Sequence, residues 1–140
     1  MARRFPLYID LTGRRVLVYG GGAVASRRVE TLSRFDPAVT VVAPEIAPAI
    51  RSLPGVAWVE DVFRPEAMPA ADLVLAATSD PQVNREIVRL CRQRGVPVNN
   101  ASDQDQCDFH FPAVAVRGGV VVGVNAGGTD HGLVKRLAAA

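Results

Sequence analysis

The stretch Arg15-Val-Leu-Val-Tyr19, followed at once by Gly20-Gly21-Gly22, constrains the fold more than any other part of this chain. The apolar, β-branched run reads as a short strand, and the glycines allow a tight turn directly out of it. A helical segment follows from about Ala23 to Phe35, and then Ala38-Val-Thr-Val-Val-Ala43 reads as a second strand closed by Pro44. Strand, crossover helix and strand make one βαβ unit, the connection that parallel pairing requires.

Within the turn, Gly20-x-Gly22-x-x-Ala25 has the spacing of a dinucleotide fingerprint with alanine in third place. The first glycine permits the turn, and the second leaves room for a pyrophosphate against helix N-terminal N–H groups. The small third residue lets helix and sheet pack closely. Three glycines alone are also merely a turn; their place between strand and helix, in a unit of about 30 residues, favours the cofactor reading. The acidic residue that normally ends the second strand and holds a ribose is displaced. Ala43-Pro44 stands there, with Glu45 just beyond, which leaves NAD and NADP both open.

Further along, Ala57 to Val62 is expected as a third strand and Asp72 to Ala77 as a fourth. A helix is expected from Pro81 to Arg94, with Asp80 as its cap, Ile87, Val88 and Cys91 on its apolar face, and Gly95 at its end. Val96 to Val98 begins another strand, and Phe109 to Val116 and Val120 to Asn125 form a hairpin turning at Arg117-Gly-Gly119. Gly127-Gly128 then leads into a short helix, Leu133 to Ala139. The expectation is an α/β, Rossmann-like, doubly wound and mostly parallel sheet with a C-terminal strand hairpin and short helix.

At 140 residues this is expected to be one domain. The net charge is only +2, with arginines scattered in pairs and few aromatics, a poor match to a nucleic-acid surface. No apolar run reaches membrane-spanning length and the basic start lacks a signal-peptide core, so a cytoplasmic protein without membrane or nucleic-acid partners is expected. Cys91 and Cys107 are read as free thiols.

Two readings fit the end of the fourth strand: Thr78 and Ser79 can hydrogen-bond a cofactor, and Ser79 and Asp80 can equally cap the next helix. Asn84 reads as an ordinary helix residue. The polar run Asn99-Asn-Ala-Ser-Asp-Gln-Asp-Gln-Cys-Asp108 precedes His110. Asp108 and His110, two apart, would face one side of a strand and could ligate a metal, but the spacing matches no dedicated zinc pattern, and acidic loops are usually solvated turns. His131, between Asp130 and Gly132, reads as a turn residue.

Taken together, FPLYIDLTGRRVLVYGGGAVASRRVETL, VTVVAP, LVLAATSDPQVNREI, GVPVNN, CDFHFPAVAVRGGVVVGVNAGGT and LVKRL resemble the NAD-dependent precorrin-2 dehydrogenases. That family includes the N-terminal domain of siroheme synthase and the yeast bifunctional dehydrogenase/ferrochelatase. The resemblance implies oxidation of precorrin-2 to sirohydrochlorin in siroheme or haem biosynthesis, with hydride passing to NAD and a proton lost. It implies that Gly20, Gly21, Gly22, Ala23 and Val24 hold the pyrophosphate, Ala43 and Pro44 the adenosine side, and Thr78 the nicotinamide ribose. It also implies a homodimer, a tetrapyrrole partner, and iron or cobalt where a member also inserts metal. Arg117 and Lys135 are candidates for the carboxylates of the tetrapyrrole. Family members continue into a dimerisation segment and a small helical domain. The expected organisation is therefore one NAD(P)-binding domain over 1–140, with 109–140 starting a dimerisation and substrate region.

Ser102 and Asp103 fall where the resemblance expects catalysis, and there the chain departs from the family. Where the family reads Asn-Val-Val-Asp, this chain has Asn99-Asn100-Ala101-Ser102. A serine hydroxyl is far too weak an acid to act as a carboxylate-like base near neutral pH, so proton removal falls to water or Asp103. The glycine loop is also altered, to Asn125-Ala-Gly-Gly-Thr-Asp-His131, and His110 stands between two aromatics where an apolar residue is usual. Two other readings follow from these departures. One is a non-catalytic nucleotide- or tetrapyrrole-binding scaffold or sensor; the other is a metal chelatase using Asp103, Cys107, Asp108, His110 or His131.

Overall fold

In β1 (Arg15–Tyr19) the residues Val16, Leu17, Val18 and Tyr19 are all buried, so the strand has no solvent face. Such a strand belongs in the middle of a helix-covered parallel sheet. The computed structural model describes residues 3–125 together with 132, 136, 138 and 139. β1 pairs in parallel with β2 (Ala38–Ala43) on one side and β4 (Leu73–Ala76) on the other. With β3 (Val56–Glu60) and β5 (Val98–Asn100) at the edges, the strand order is β3-β2-β1-β4-β5. This is the Rossmann order, reversing direction between β1 and β4.

Two helices carry the crossovers that flank the switch point, α1 (Ala23–Ser33) after β1 and α3 (Pro81–Arg94) after β4; a short α2 (Pro48–Arg51) lies between β2 and β3. Against α3, one apolar cluster joins Leu17, Tyr19, Val74, Ala76 and Val98 of the sheet to Ile87, Val88 and Cys91 of the helix. Asp80 caps α3 by accepting the Gln82 N–H at 2.9 Å, and Gly95 ends it at φ 68°. A left-handed residue there costs glycine no Cβ strain.

These elements lie in a unit spanning Asp10–Phe109. The described residues outside it form a second unit, in which β6 (Ala113–Arg117) and β7 (Val120–Val124) pair antiparallel about a turn at Gly118, φ 58°. Within that unit the Tyr8 hydroxyl donates to the Val121 carbonyl at 3.4 Å.

Several expected boundaries shift. α1 ends at Ser33, β3 lies at Val56–Glu60 rather than 57–62, β4 loses one residue at each end, and α2 was not anticipated. β5 starts at Val98 and takes in the first two residues of the polar run. β6 begins at Ala113, not Phe109, because Asp108 does not continue a strand; its carboxylate accepts the Val98 N–H at 3.0 Å. Gly127, Gly128, Asp130, His131, Lys135 and the body of the expected helix Leu133–Ala139 lie outside the described residues. Among the described residues no helix is long and apolar enough to cross a membrane.

Candidate functional site

Where the strand order reverses, the chains leaving β1 and β4 diverge and open a crevice at the carboxyl ends of the strands. A cleft of about 620 Å³ lies there, lined by Gly20 to Val24, by Ala43 at the end of β2 with Pro44 and Glu45 beyond it, and by Ala77 to Asp80 beyond β4. Tyr19, Val42, Val62, Phe63 and Val83 complete its apolar lining; the rings of Tyr19 and Phe63 meet edge to face, 5.0 Å between centroids and 87° apart. Burial pushes the Tyr19 phenol up to about 12, so it remains neutral.

The glycines divide their work. At Gly20, φ is 127° and a Cβ would overlap the Ala77 carbonyl; at Gly21 it would overlap the Glu45 carbonyl. Both are held by the backbone, since the Gly20 N–H donates to the Val42 carbonyl and the Ala47 N–H to the Gly21 carbonyl, each at 3.0 Å. Gly22 differs: a Cβ there would meet no atom within 4 Å. It is the N-cap of α1 in extended conformation, and the first turn carries neither a side-chain cap nor an acidic residue. The helix therefore presents its opening N–H groups to the cleft uncapped, as a bound phosphate requires. The pyrophosphate of a dinucleotide fits this cradle.

Asn84 lies in α3 but is not the ordinary helix residue expected from the sequence. Asn84 is fully buried, and its side chain is a junction rather than an ordinary helix position. Its Oδ1 accepts the Thr78 N–H at 3.0 Å and the Thr78 hydroxyl at 2.6 Å. Its Nδ2 donates to the Thr78 carbonyl at 3.1 Å and to Ser102 Oγ at 3.2 Å. Of the two readings at the end of β4, Asp80 takes the cap and Thr78 lines the cleft.

Asn99 and Asn100, also nearly fully buried, anchor β5 from opposite faces. Asn99 Nδ2 donates to the Phe109 carbonyl at 2.9 Å, while its Oδ1 accepts from Arg28 of α1. Burial lowers the Arg28 pKa from its ordinary value. Asn100 Oδ1 accepts both the Ser102 N–H, at 2.9 Å, and the Ser102 hydroxyl, at 2.7 Å; its N–H meets the Cys107 sulfur at 3.1 Å. Asp103 is turned to another use: its carboxylate caps the 3-10 turn Gln104–Gln106 by accepting the Asp105 N–H at 3.0 Å.

The proposed metal pairing of Asp108 with His110 loses its premise, because neither residue lies in a strand. Asp108 also faces Arg92 at 3.7 Å, and His110 belongs to the other unit, where burial and then the charge of Arg4 lower its pKa. Among the described residues no three His, Cys, Asp or Glu side chains gather as metal ligands. Arg117 ends β6 with its side chain exposed.

Comparison with known proteins agrees with this geometry. The family model NAD_binding_7, described as "Putative NAD(P)-binding", matches residues 7–113. The chain is 36% identical over 139 residues to a "Probable multifunctional siroheme biosynthesis protein HemA" of Ruminiclostridium josui, covering 96% of this chain and 27% of that protein. It is 38% identical over 135 residues to a siroheme synthase of Methylobacillus flagellatus, covering 94% and 29%. The chain thus spans less than a third of the length of either relative. Among solved structures, "SirC, precorrin-2 dehydrogenase" superposes with a TM-score of 0.77 at 27% identity, covering 96% of this chain and 67% of that one.

Proposed function

This chain belongs to the NAD_binding_7 family, and from that premise we propose that it binds NAD and oxidises precorrin-2 to sirohydrochlorin in siroheme biosynthesis. The observation that carries the reading is the open, uncapped cradle at Gly22, at the switch point of a sheet that superposes on a precorrin-2 dehydrogenase. Bound NAD supplies the hydride acceptor: two electrons and a proton leave the substrate as hydride, and a second proton leaves to solvent.

In this reading Gly20 to Val24 receive the pyrophosphate, Ala43 and Pro44 border the adenosine, and Thr78 accepts from the nicotinamide ribose. The Thr78 hydroxyl has its proton taken by Asn84 Oδ1 and the Asp80 carbonyl and accepts the Asp80 N–H, so it meets the ribose as an acceptor through its remaining lone pair. Ser102 and Asp103 stand on the loop where substrate meets the nicotinamide. Ser102 is not a ready base, since its proton is held by Asn100, whereas the Asp103 carboxylate caps a turn with one oxygen and keeps the other for a proton. Rate then comes chiefly from holding the reacting carbon against the nicotinamide, with water or Asp103 taking the proton.

We further assign residues 1–140 to one cytoplasmic NAD(P)-binding domain, with 109–140 starting a dimerisation and substrate region. Exposed Phe5, Leu7, Val120 and Val122 support a homodimer, since an apolar surface of this kind favours self-association. The test is anaerobic incubation of the protein with precorrin-2 and NAD, following NADH; formation matching sirohydrochlorin one to one is expected. Ser102, standing where the family pattern has a carboxylate, favours a second reading, a scaffold that binds without turnover. NAD binding with no NADH formed would replace the first reading with that one.

A further inference from the structure

A serine hydroxyl rotates freely and an amide can be placed either way round, so hydrogen-bond polarity is normally left open in such a network. Around Ser102 it is closed from both ends by backbone N–H groups, which can only donate. The Thr78 N–H lies 3.0 Å from Asn84 Oδ1, which fixes that amide and turns its Nδ2 toward Ser102. On the other side, the Ser102 N–H lies 2.9 Å from Asn100 Oδ1, which fixes the second amide; its Nδ2 accordingly donates to Gln106 Oε1 at 2.9 Å.

The Ser102 hydroxyl lies between a donor it must accept and an acceptor it must satisfy. Its one proton goes to Asn100 Oδ1 and one lone pair takes the Asn84 N–H. The second lone pair remains, on an exposed residue two positions past the carboxyl end of β5 and joined through Asn84 to Thr78, which lines the cleft.

We propose that Ser102 is a fixed hydrogen-bond acceptor for an N–H donor of the bound ligand, with buried Asn84 as the positioning residue that holds it in that sense. The proposal rests on the dehydrogenase reading and assigns Ser102 a binding role within it. Two sources carry the required donor, a pyrrole-type N–H of the tetrapyrrole and the carboxamide NH2 of the nicotinamide.

Equilibrium titrations of the full chain distinguish them. The parent, Ser102→Ala, Asn84→Asp and the double variant are each titrated with sirohydrochlorin, with NAD, and with 3-acetylpyridine adenine dinucleotide, in which a methyl group replaces the carboxamide NH2. Loss of one hydrogen bond weakens binding roughly two- to tenfold. Ser102→Ala is expected to weaken sirohydrochlorin alone if the tetrapyrrole is the donor. If the carboxamide is the donor, it weakens NAD while leaving the acetylpyridine analogue unchanged.

Asn84→Asp keeps the two acceptor contacts to Thr78 but puts an oxygen where Nδ2 donated to the Thr78 carbonyl and to Ser102; the Ser102 hydroxyl is left with one proton between two acceptors, and the repulsion from the unsatisfied one displaces its oxygen. It is expected to reproduce the loss, and the double variant to lose no more than Ser102→Ala. Should Asn84→Asp fail to fold, Ser102→Ala still decides. The proposal is overturned if Ser102→Ala leaves all three affinities unchanged, if the NAD and analogue affinities fall together, if the two losses multiply, or if the parent binds no ligand. Because every readout is binding, a parent that binds but forms no NADH refutes the dehydrogenase reading separately.

Discussion

Replacing Gly22 by Asp should separate cofactor binding from stability, because the two effects have opposite signs. The backbone at Gly22 is extended (φ −93°, ψ −157°) and a Cβ there meets nothing within 4 Å, so the new side chain enters without strain. As an N-cap, Asp betters Gly by a few tenths of a kcal/mol, and its charge on the helix N-terminus adds about 0.3–1 kcal/mol. The folded state should therefore gain up to about 1 kcal/mol. The same carboxylate would occupy the N–H groups meant for the pyrophosphate and face two phosphate charges. At about 5 Å and an effective dielectric constant of about 20, each repulsion is roughly 3 kcal/mol. Even half of that total, after solvent screening, weakens NAD by about a hundredfold. Calorimetric titration with NAD and thermal melts with and without it measure both effects. The parent should melt higher with NAD and the variant should not, while the variant alone melts at or above the parent. Gly22→Ala, which adds bulk without charge, should bind far better than Gly22→Asp. A Gly22→Asp protein binding NAD within threefold of the parent would refute the assignment of this helix end to the pyrophosphate.

Gly21→Ala should fail differently: its Cβ overlaps the Glu45 carbonyl, so stability should fall along with NAD affinity, by more than about 1 kcal/mol in urea unfolding. Ile87→Ala, at a fully buried position in the cluster against α3, should cost about 2–5 kcal/mol by the same measurement, with NAD affinity at 25 °C little changed. Burial raises the Cys91 thiol from 9.0 to about 11. A raised pKa favours the folded state below the unfolded value and is lost as pH rises through the folded one. Stability should therefore fall from about pH 9 to pH 11 by roughly 3 kcal/mol at most, and Cys91→Ala should flatten that slope. Thiol-labelling kinetics give a second check, since fully buried Cys91 should react only on unfolding and partly exposed Cys107 sooner.

The parts of the fold legible in the sequence are those fixed by local pattern. β1, β2 and the body of α1 follow from apolar runs flanking the glycines, and α3 from Asp80, Pro81 and Gly95. The glycine turn at the cleft was legible for the same reason, because its geometry is carried by one short segment. What escaped the reading depends on distant partners. Asn99 and Asn100 look like loop residues until Arg28 of α1 and the backbone at Phe109 satisfy Asn99, and Gln106 and Ser102 satisfy Asn100. Asn84 did carry a signal: it stands three, four and seven residues before Ile87, Val88 and Cys91, on the apolar stripe of α3. A polar residue on such a stripe must find buried partners, and these are Thr78 and Ser102. The direction of the Ser102 hydroxyl was hidden too, because one residue's departure from a family pattern does not say which way its hydroxyl points.

In the proposed function the cleft beside Gly22 takes the dinucleotide, with its nicotinamide toward the carboxyl ends of β4 and β5. Backbone amide NMR during a titration with NAD tests it most directly. The account predicts saturable shifts at Gly22, Ala23, Val24, Thr78 and Ser102, with Val56 to Trp58 at the start of the edge strand unmoved. Saturation with shifts confined elsewhere, or no shifts at any NAD concentration, would contradict it.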